Sequence, residues 1–235
     1  MKRLFTLTLV LTGALLAGCA TVEGQTDPED PFESFNRAMY GFNETVDGTI
    51  LKPAAQGYNA LLPSPVNKGI SNFFSNLDDV VVVFNDILQL KLEQAAEDSA
   101  RVLFNSTIGL LGFIDVATGM DLPKHNEDFG QTLGYWGVGT GPYLVLPLLG
   151  PSDVRDGIGL VADAYVNPQY DITPEDTQTG LTVVDVLDTR AGLLSASRVL
   201  EEAALDPYLF VRDAYLQRRE NLVYDGNPPK PKFDD

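Results

Sequence analysis

One apolar stretch decides what this chain can fold into: Pro142-Tyr143-Leu144-Val145-Leu146-Pro147-Leu148-Leu149. Proline at 142 and at 147 disfavours a continuous helix, because proline lacks the N–H group that helical hydrogen bonding requires. The same two prolines disfavour a strand in the middle of a sheet. An apolar segment without regular structure must place its backbone polar groups against protein or along a cavity. We therefore predict that this segment is irregular and lines a cavity.

The residues around this stretch are rich in glycine, with six glycines and three prolines between Glu127 and Asp156. Within them, Gly137-x-Gly139-x-Gly141 lacks the spacing of a dinucleotide-binding motif and follows no clear strand, so a phosphate cradle is disfavoured. A tight loop that needs positive φ angles, or close approach of another backbone, is the favoured interpretation.

Most of the remaining chain has helical periodicity. Intervals of three and four place on one face of a first helix Phe35, Met39, Phe42, Val46 and Ile50. Pro53 is expected to end that helix. Ser64-Pro65 and Asp206-Pro207 are typical of helix starts, with a capping side chain followed by proline at the first helical position.

A run of β-branched residues, Val80-Val81-Val82-Val83-Phe84, suggests a strand on propensity alone. Apolar residues follow it at helical offsets, at Ile87, Leu88 and Leu90, and they favour a helix that is apolar nearly all round. Such a helix is deeply buried or touches lipid. Alternation typical of strands is almost absent elsewhere, so the predicted fold class is mainly α.

The N-terminus has the layout of a bacterial lipoprotein signal. Two basic residues precede an apolar stretch that is too short to span a bilayer, and the stretch ends in Leu16-Ala17-Gly18-Cys19. Cys19 is the one cysteine of the chain and is the predicted lipidation site. The alternative is an ordinary secretory signal with an incidental cysteine. Ala20 follows where inner-membrane retention usually uses Asp, so sorting to the outer membrane is favoured.

Composition limits the classes of function. The formal net charge of −17 disfavours nucleic-acid binding and binding to anionic lipid head groups by charge alone. A hydrophobic content of 44% is sufficient for a sizeable core. The predicted organisation is a signal peptide over 1–18, a lipidated tether over 19–31, one helical domain over 32–225 and a disordered tail over 226–235.

No motif in the chain indicates an enzyme or a metal site. A Gly-x-Ser-x-Gly elbow is absent, and His125, the one histidine, is expected to be a solvated loop residue rather than a catalytic base. Its acidic neighbours Asp121, Glu127 and Asp128 do not match a calcium loop and are expected to be solvated. We predict no catalytic residue, no metal and no cofactor.

Two further groups of residues leave alternatives open. Arg155-Asp156 and the arginines of 212–219 form either a salt-bridged surface or contacts to lipid phosphates, which suit arginine by geometry. The aromatic residues Tyr135, Trp136 and Tyr143 either lie at the lipid interface or pack in the core.

Several motifs together resemble the MlaA (VacJ) family of lipoproteins. The resemblance covers residues 28–226 in order and is carried by Asp30-Pro31-Phe32-Glu33-Ser34-Phe35-Asn36-Arg37, Phe42-Asn43, Phe129-Gly130-Gln131-Thr132-Leu133-Gly134, Gly137-Val138-Gly139-Thr140-Gly141-Pro142-Tyr143, Leu146-Pro147 to Gly150, Arg155-Asp156, Asp206-Pro207-Tyr208, Arg212, Ala214-Tyr215 and Gln217-Arg218.

The resemblance implies a single, ring-like helical domain that lies in the inner leaflet of the outer membrane and encloses an amphipathic channel. It implies removal of phospholipids mislocalised to the outer leaflet, association with a trimeric porin, and transfer to the periplasmic lipid carrier MlaC. The channel or lipid path is predicted to include Phe42, Asn43, Phe129, Gly134, Gly137, Gly139, Gly141, Pro142, Tyr143, Leu146, Pro147 and Arg155. The alternatives are an envelope lipid hydrolase and a structural lipoprotein that only associates with porins.

Overall fold

The computed structural model describes residues 30–229, without the side chains of 201–203. The predicted signal peptide, the lipidation site Cys19, nearly all of the tether and most of the predicted tail lie outside the described residues.

Helices make up most of the described chain, and the prediction of a mainly α fold is confirmed. In chain order they are α1 (Glu33–Val46), α2 (Lys52–Leu61), α3 (Ser64–Leu88), α4 (Leu92–Thr107), α5 (Phe129–Tyr135), α6 (Val154–Val166), α7 (Glu175–Gly192), α8 (Leu194–Ala203) and α9 (Pro207–Val223). Short 3₁₀ turns lie at Thr118–Met120 and Pro168–Asp171. Within residues 30–229, none of these helices has the length and apolar content needed to cross a membrane.

The first two helices are continuous, so the predicted break at Pro53 is wrong. A π-helical turn, Asp47–Leu51, joins α1 to α2, and Pro53 lies in the first turn of α2. Proline ordinarily interrupts a helix because it lacks an N–H and its ring clashes with the carbonyl four residues earlier. The wider π turn moves that carbonyl aside, which allows the chain to pass the proline without ending the helix.

The valine run lies inside α3, as the helical offsets after it predict. Val81 and Val82 are buried, and α3 packs against α4, where Ala95 is also buried. Phe84 and Ile87 on the same helix are exposed. The helix is therefore partly buried, and some of its apolar residues face outward.

The Pro-flanked stretch differs from the predicted irregular segment. Strand β1 (Tyr143–Leu146) pairs antiparallel with β2 (Gly150–Asp153), in a register that places Tyr143 opposite Asp153. The strand is only four residues long and fits between the two prolines, and Leu148 and Gly150 adopt the positive φ angles of the turn. A two-stranded hairpin has no central strand, so the prolines are compatible with it.

Two asparagines of α1 satisfy the edge of β1 that β2 leaves free. Asn36 donates to the Tyr143 carbonyl at 3.0 Å and accepts from the Val145 N–H at 2.9 Å. Seven residues later, Asn43 donates to the Leu146 carbonyl at 2.9 Å and accepts from the backbone N–H of Leu148 at 2.7 Å. These side chains act as a third strand would, because buried backbone groups need partners.

Candidate functional site

A cavity of about 650 Å³ opens beside the glycine-rich segment. It lies between the end of α5, the loop that follows, the start of α6 and the last turns of α9, and its wall includes Gly134, Gly137, Gly139, Gly141, Arg155 and Glu220. The volume lies within the range of about 300–1,000 Å³ that is typical of small-molecule sites.

Glycine is required in this wall for two reasons. Gly137 and Gly141 have φ angles of +89° and +71°, which side-chain-bearing residues rarely adopt. At Gly134, an added Cβ would lie 2.9 Å from Nη1 of Arg155 and 2.8 Å from a methyl group of Val223. The tight-loop interpretation of the glycine motif is therefore correct. Gly139 differs: a Cβ added there would meet no atom within 4 Å apart from its chain neighbours, so this glycine faces open space.

Arg155 is the cation of the cavity wall, and it is 5% exposed. Its Nε donates to Asp156 at 3.0 Å, and its Nη2 lies 3.7 Å from Asp153, beyond hydrogen-bond distance. Among residues 30–229, no hydrogen-bond acceptor is placed for that buried Nη2. This atom is enclosed by protein and faces the Asp153 carboxylate, so Arg155 borders the cavity through other atoms.

Arg219 connects the carboxylates around the cavity. It donates to both oxygens of Asp128 at 2.5 and 2.8 Å and lies 2.5 Å from Asp156. The hydroxyl of Tyr215 donates to the same Asp156 oxygen, Oδ2, at 2.5 Å. We refer to Arg155, Arg219, Asp128, Asp153 and Asp156 as the ion network. Its pairs are largely buried, which corrects the view of these arginines as a salt-bridged surface.

The ion network also fixes the two helix starts that border the cavity. Asp128 caps α5 by accepting from the Gln131 N–H at 2.8 Å, and Asp153 caps α6 by accepting from the Asp156 N–H at 2.7 Å. Burial disfavours ionisation of both, but the adjacent Arg219 guanidinium lowers the pKa of Asp128 below its usual value. Burial, together with the neighbouring Asp156 carboxylate, raises the pKa of Asp153 to about 6.

The loop with the single histidine is not solvated as expected. Nδ1 of His125 lies 2.7 Å from the buried carboxylate of Asp98 on α4. Glu127 is buried and pairs with Lys91 at 2.8 Å, while Asp128 belongs to the ion network. Glu127 and Asp128 are therefore partners of basic and amide side chains, whereas Asp121 is exposed, as expected. Within the described chain, no group of His, Cys, Asp and Glu residues is arranged to hold a metal ion.

The polarity of the described chain is partly inverted. Its buried residues include many polar and charged side chains, among them Asp86, Asp98 and Arg101, while its buried apolar residues are few and mostly small. Large apolar residues are widely exposed, for example Leu61 (83%) and Leu149 (72%). Scattered exposed apolar residues are ordinary, but a surface rich in large ones indicates contact with lipid or protein.

One apolar loop illustrates the inverted polarity. Five of its side chains are about half to two-thirds exposed: Ile108, Leu110, Leu111, Phe113 and Ile114. Leu110 and Leu111 adopt positive φ angles, so the loop is held in an uncommon conformation while it presents these side chains outward.

The structure brings together some of the residues predicted for a lipid path and separates others. Gly134, Gly137, Gly139, Gly141 and Arg155 share the cavity wall. The remaining ones lie along α1, at the start of α5 and in the hairpin: Phe42, Asn43, Phe129, Pro142, Tyr143, Leu146 and Pro147.

The separated residues have distinct environments. Phe42 is exposed on α1, Asn43 bonds the hairpin, and the Phe129 N–H donates to the Asp163 carboxylate at 3.0 Å. Tyr143 is fully buried beside Tyr208, so of its two predicted environments, the lipid interface and the core, it occupies the core. Tyr135 and Trp136 are exposed, and the Trp136 indole donates to the Leu88 carbonyl at 3.0 Å.

Sequence reasoning missed three contributors to this region. Asn36 lies in a motif of the family resemblance and seven residues before Asn43, on the same face of α1, but neither signal indicates that it bonds the hairpin. Glu220 and Tyr224, at the C-terminal end of α9, line the cavity although they lie far from the glycine segment in sequence. Only the packing of α9 against α5 brings them to the same wall.

Comparison with known proteins agrees with this architecture. The model of the MlaA lipoprotein family matches residues 28–222. The chain belongs to the MlaA lipoprotein family. The match covers the whole glycine segment, the hairpin, the ion network and nearly all of α9.

Relatives within the MlaA family cover almost the full chain. A protein of Escherichia coli (strain K12) named intermembrane phospholipid transport system lipoprotein MlaA is 38% identical over 95% of this chain and 90% of its own. The Haemophilus influenzae protein of the same name is 34% identical over 96% and 93%. A solved structure described as the "structural basis for maintenance of bacterial outer membrane lipid asymmetry" matches with a TM-score of 0.73 and 37% identity, covering 83% of this chain and 98% of that chain.

Proposed function

We propose that this chain is a non-enzymatic lipoprotein of intermembrane phospholipid transport. It removes phospholipid mislocalised to the outer leaflet of the outer membrane through an amphipathic channel and passes it to a periplasmic carrier, which maintains lipid asymmetry. The Escherichia coli and Haemophilus influenzae relatives bear the name of that transport system, and they match nearly the whole chain. The observation that carries the proposal is the inverted polarity of the described residues.

Inverted polarity suits a body that lies in lipid and encloses a polar path. Exposed leucine, isoleucine and phenylalanine side chains gain by leaving water for acyl chains, at roughly 25 cal/mol per Å² of apolar surface. A moving phospholipid presents both a charged head group and apolar tails, so its path needs sparse polar groups within apolar walls. We propose a ring-like body in the inner leaflet of the outer membrane, reached from the periplasmic side.

We propose that lipid on Cys19 delivers and orients this body. Firm anchoring by acyl chains needs more than one chain, because a single chain gives only marginal, reversible binding. A Cys19→Ala variant is expected to fail in delivery to the outer membrane while its helical domain still folds. The partners proposed are phospholipids, the outer membrane, a trimeric porin and the carrier MlaC.

The proposed lipid path includes the cavity wall around Gly137 and Arg155, with Leu146 and the exposed Phe42 as further contacts. Substituting Leu146, which is half-buried, with a bulky polar residue is expected to reduce lipid clearance while the protein still accumulates. Tyr143 is unsuitable for this test because it is buried in the core, so its substitution acts through stability.

The decisive experiment measures phospholipid in the outer leaflet of cells with and without this chain. A membrane-impermeant amine reagent labels phosphatidylethanolamine in the outer leaflet of intact cells. We expect labelling to rise when the chain is absent and to return to its basal level when the wild type is restored. Unchanged labelling in its absence would contradict the proposal.

Experiments with purified components distinguish the proposed transporter from the two alternatives, an envelope lipid hydrolase and a structural lipoprotein. Incubation with radiolabelled phospholipid yields cleavage products if the chain is an envelope hydrolase, and intact lipid if it is a transporter. Handover of intact phospholipid to the carrier counts against a purely structural, porin-associated role.

A further inference from the structure

The cavity beside α5 has opposite charges in one wall. Of its described lining residues, Arg155 and Glu220 are the charged ones, and Glu220 is exposed on α9. Thr140, Gln217 and Tyr224 contribute neutral polar groups, while Leu216 and Val223 contribute apolar surface. A ligand with a cationic end, an anionic end and an apolar continuation matches this set of side chains.

The surroundings of Arg155 disfavour a ligand with net negative charge. In the ion network, two guanidinium groups face the carboxyl groups of Asp128, Asp153 and Asp156. The whole chain has a formal charge of −17, so a free anion is repelled at long range as well. A zwitterion does not meet this repulsion, and its phosphate can still approach Arg155, which forms part of the cavity wall.

The glycines leave room for such a ligand against the backbone. Gly139 faces open space, and Gly137 and Gly141 turn the chain around the cavity without side chains. Absence of Cβ atoms lets a ligand approach the main chain closely. The cavity volume of about 650 Å³ accommodates a head group together with the glycerol and the start of the tails.

We propose that this cavity binds the head group of a zwitterionic phosphoamine lipid, with its phosphate on Arg155 and its ammonium on Glu220. This inference rests on the proposed function, because it assigns a head-group class and a site to the phospholipid that the chain moves. Arginine suits phosphate because its N–H groups match the phosphate oxygens in geometry. Glu220 supplies the carboxylate that selects an amine over a neutral, hydroxyl-bearing head group.

The test uses the full-length lipidated protein in non-ionic micelles that contain graded amounts of phosphatidylethanolamine or phosphatidylglycerol. Trp136, the single tryptophan of the chain, adjoins Gly137 and reports binding by its fluorescence, and native mass spectrometry counts the bound lipids. We expect the wild type to bind phosphatidylethanolamine about fivefold more tightly than phosphatidylglycerol, as one partly exposed charge contact provides.

Two variants and a control test the assignment. Glu220→Gln is expected to remove the fivefold preference by weakening phosphatidylethanolamine binding, with phosphatidylglycerol binding equal or stronger. Gly139→Leu fills the cavity and is expected to weaken both lipids about tenfold or more. Gly119→Leu is the matched control, because Gly119 also faces open space but lies outside the cavity wall, and it should bind as the wild type does.

Soluble glycerophosphoethanolamine separates a lipid head group from a free phosphoamine. If glycerophosphoethanolamine displaces phosphatidylethanolamine only at concentrations far above that of the lipid, the ligand is a lipid. If it displaces the lipid at equal concentration, the assignment of a lipid ligand is overturned. If Gly139→Leu binds both lipids as the wild type does, or if Glu220→Gln keeps the preference for phosphatidylethanolamine, the inference is overturned. The proposed function still stands in that case, provided that outer-leaflet clearance depends on the chain. If clearance itself does not depend on the chain, the proposed function fails instead.

Discussion

Replacing Asn36 with alanine tests whether α1 holds the Pro-flanked hairpin through side-chain hydrogen bonds. Asn36 is fully buried and bonds three partners: the Asp30 carboxylate at 2.7 Å, the Tyr143 carbonyl at 3.0 Å and the Val145 N–H at 2.9 Å. Alanine leaves two buried backbone groups of β1 without partners, and each such group costs about 1–3 kcal/mol. We expect the free energy of unfolding to fall by about 3 kcal/mol, because the structure relaxes only partly.

Asn43→Ala is the matched control, since Asn43 makes the same pair of contacts with the other end of the hairpin. Its partners lie in a half-exposed region where water can replace the amide, so we expect a loss of only about 1 kcal/mol. For a domain of this size, 1 kcal/mol shifts the unfolding midpoint by about 2–4 °C. Asn36→Ala should therefore lower the midpoint by roughly 6–12 °C.

The assay is thermal unfolding of the lipidated protein in non-ionic detergent, followed by the helical circular dichroism signal. Asn36→Asp adds a second comparison: it keeps an acceptor for the Val145 N–H but sets a carboxylate beside Asp30 and the Tyr143 carbonyl. We expect it to be at least as destabilising as Asn36→Ala. If Asn36→Ala unfolds at the same temperature as Asn43→Ala, burial does not control the strength of these contacts and the reasoning is refuted.

Three further changes test the ion network, the buried carboxylates and the core. Arg219→Met leaves the half-buried Asp128 without its cation and the buried Asp156 with Arg155 alone, so it should lower the free energy of unfolding by about 3 kcal/mol, against under about 0.5 kcal/mol for the exposed Arg218→Met; equal losses would contradict it. Burial and the nearby Asp98 carboxylate raise the pKa of Asp86 to about 7, so the folded state binds its proton more readily than the unfolded chain. Stability should therefore rise as pH falls from 8 to 5, and Asp86→Asn should flatten that slope in urea titrations, whereas an unchanged slope would refute the assignment. The Tyr143 hydroxyl is buried without a hydrogen-bond partner among residues 30–229, so Tyr143→Phe should leave the unfolding midpoint unchanged or raised. Tyr143→Ser should lower the free energy of unfolding by about 3–5 kcal/mol, because it removes the buried ring. A large loss of stability in Tyr143→Phe would show that the hydroxyl has a partner.

The helical fold was predictable because its signals are local. Periodic apolar residues and the cap at Asp206, whose carboxylate accepts from the Leu209 N–H at 3.2 Å, depend only on neighbours within a turn or two. The π turn before Pro53 was not predictable, since proline chemistry alone indicates a break. The short strand β1 was missed because its free edge is satisfied by Asn36 and Asn43, which lie more than one hundred residues away in sequence.

Burial was the part that sequence patterns predicted least well. Helical periodicity places Phe42 and Ile50 on the apolar face of α1, yet both are exposed, while Asn36 on the same helix is fully buried. A periodic pattern shows which side chains share a face, but it does not show whether that face meets a protein core or a lipid. Where the outside is apolar, the usual rule that apolar residues are buried is inverted.

By itself, the sequence determined the helical class, the glycine loop and the motifs that mark the family, because each depends on consecutive or periodic residues; in the same way it predicts lipidation at Cys19. Only the tertiary structure decided that Arg155 and Glu220 share one cavity wall, that Arg219 joins Asp128 to Asp156, and that His125 faces Asp98. Those relations join residues far apart in the chain, and they arise from helix packing, for which one sequence holds no local signal.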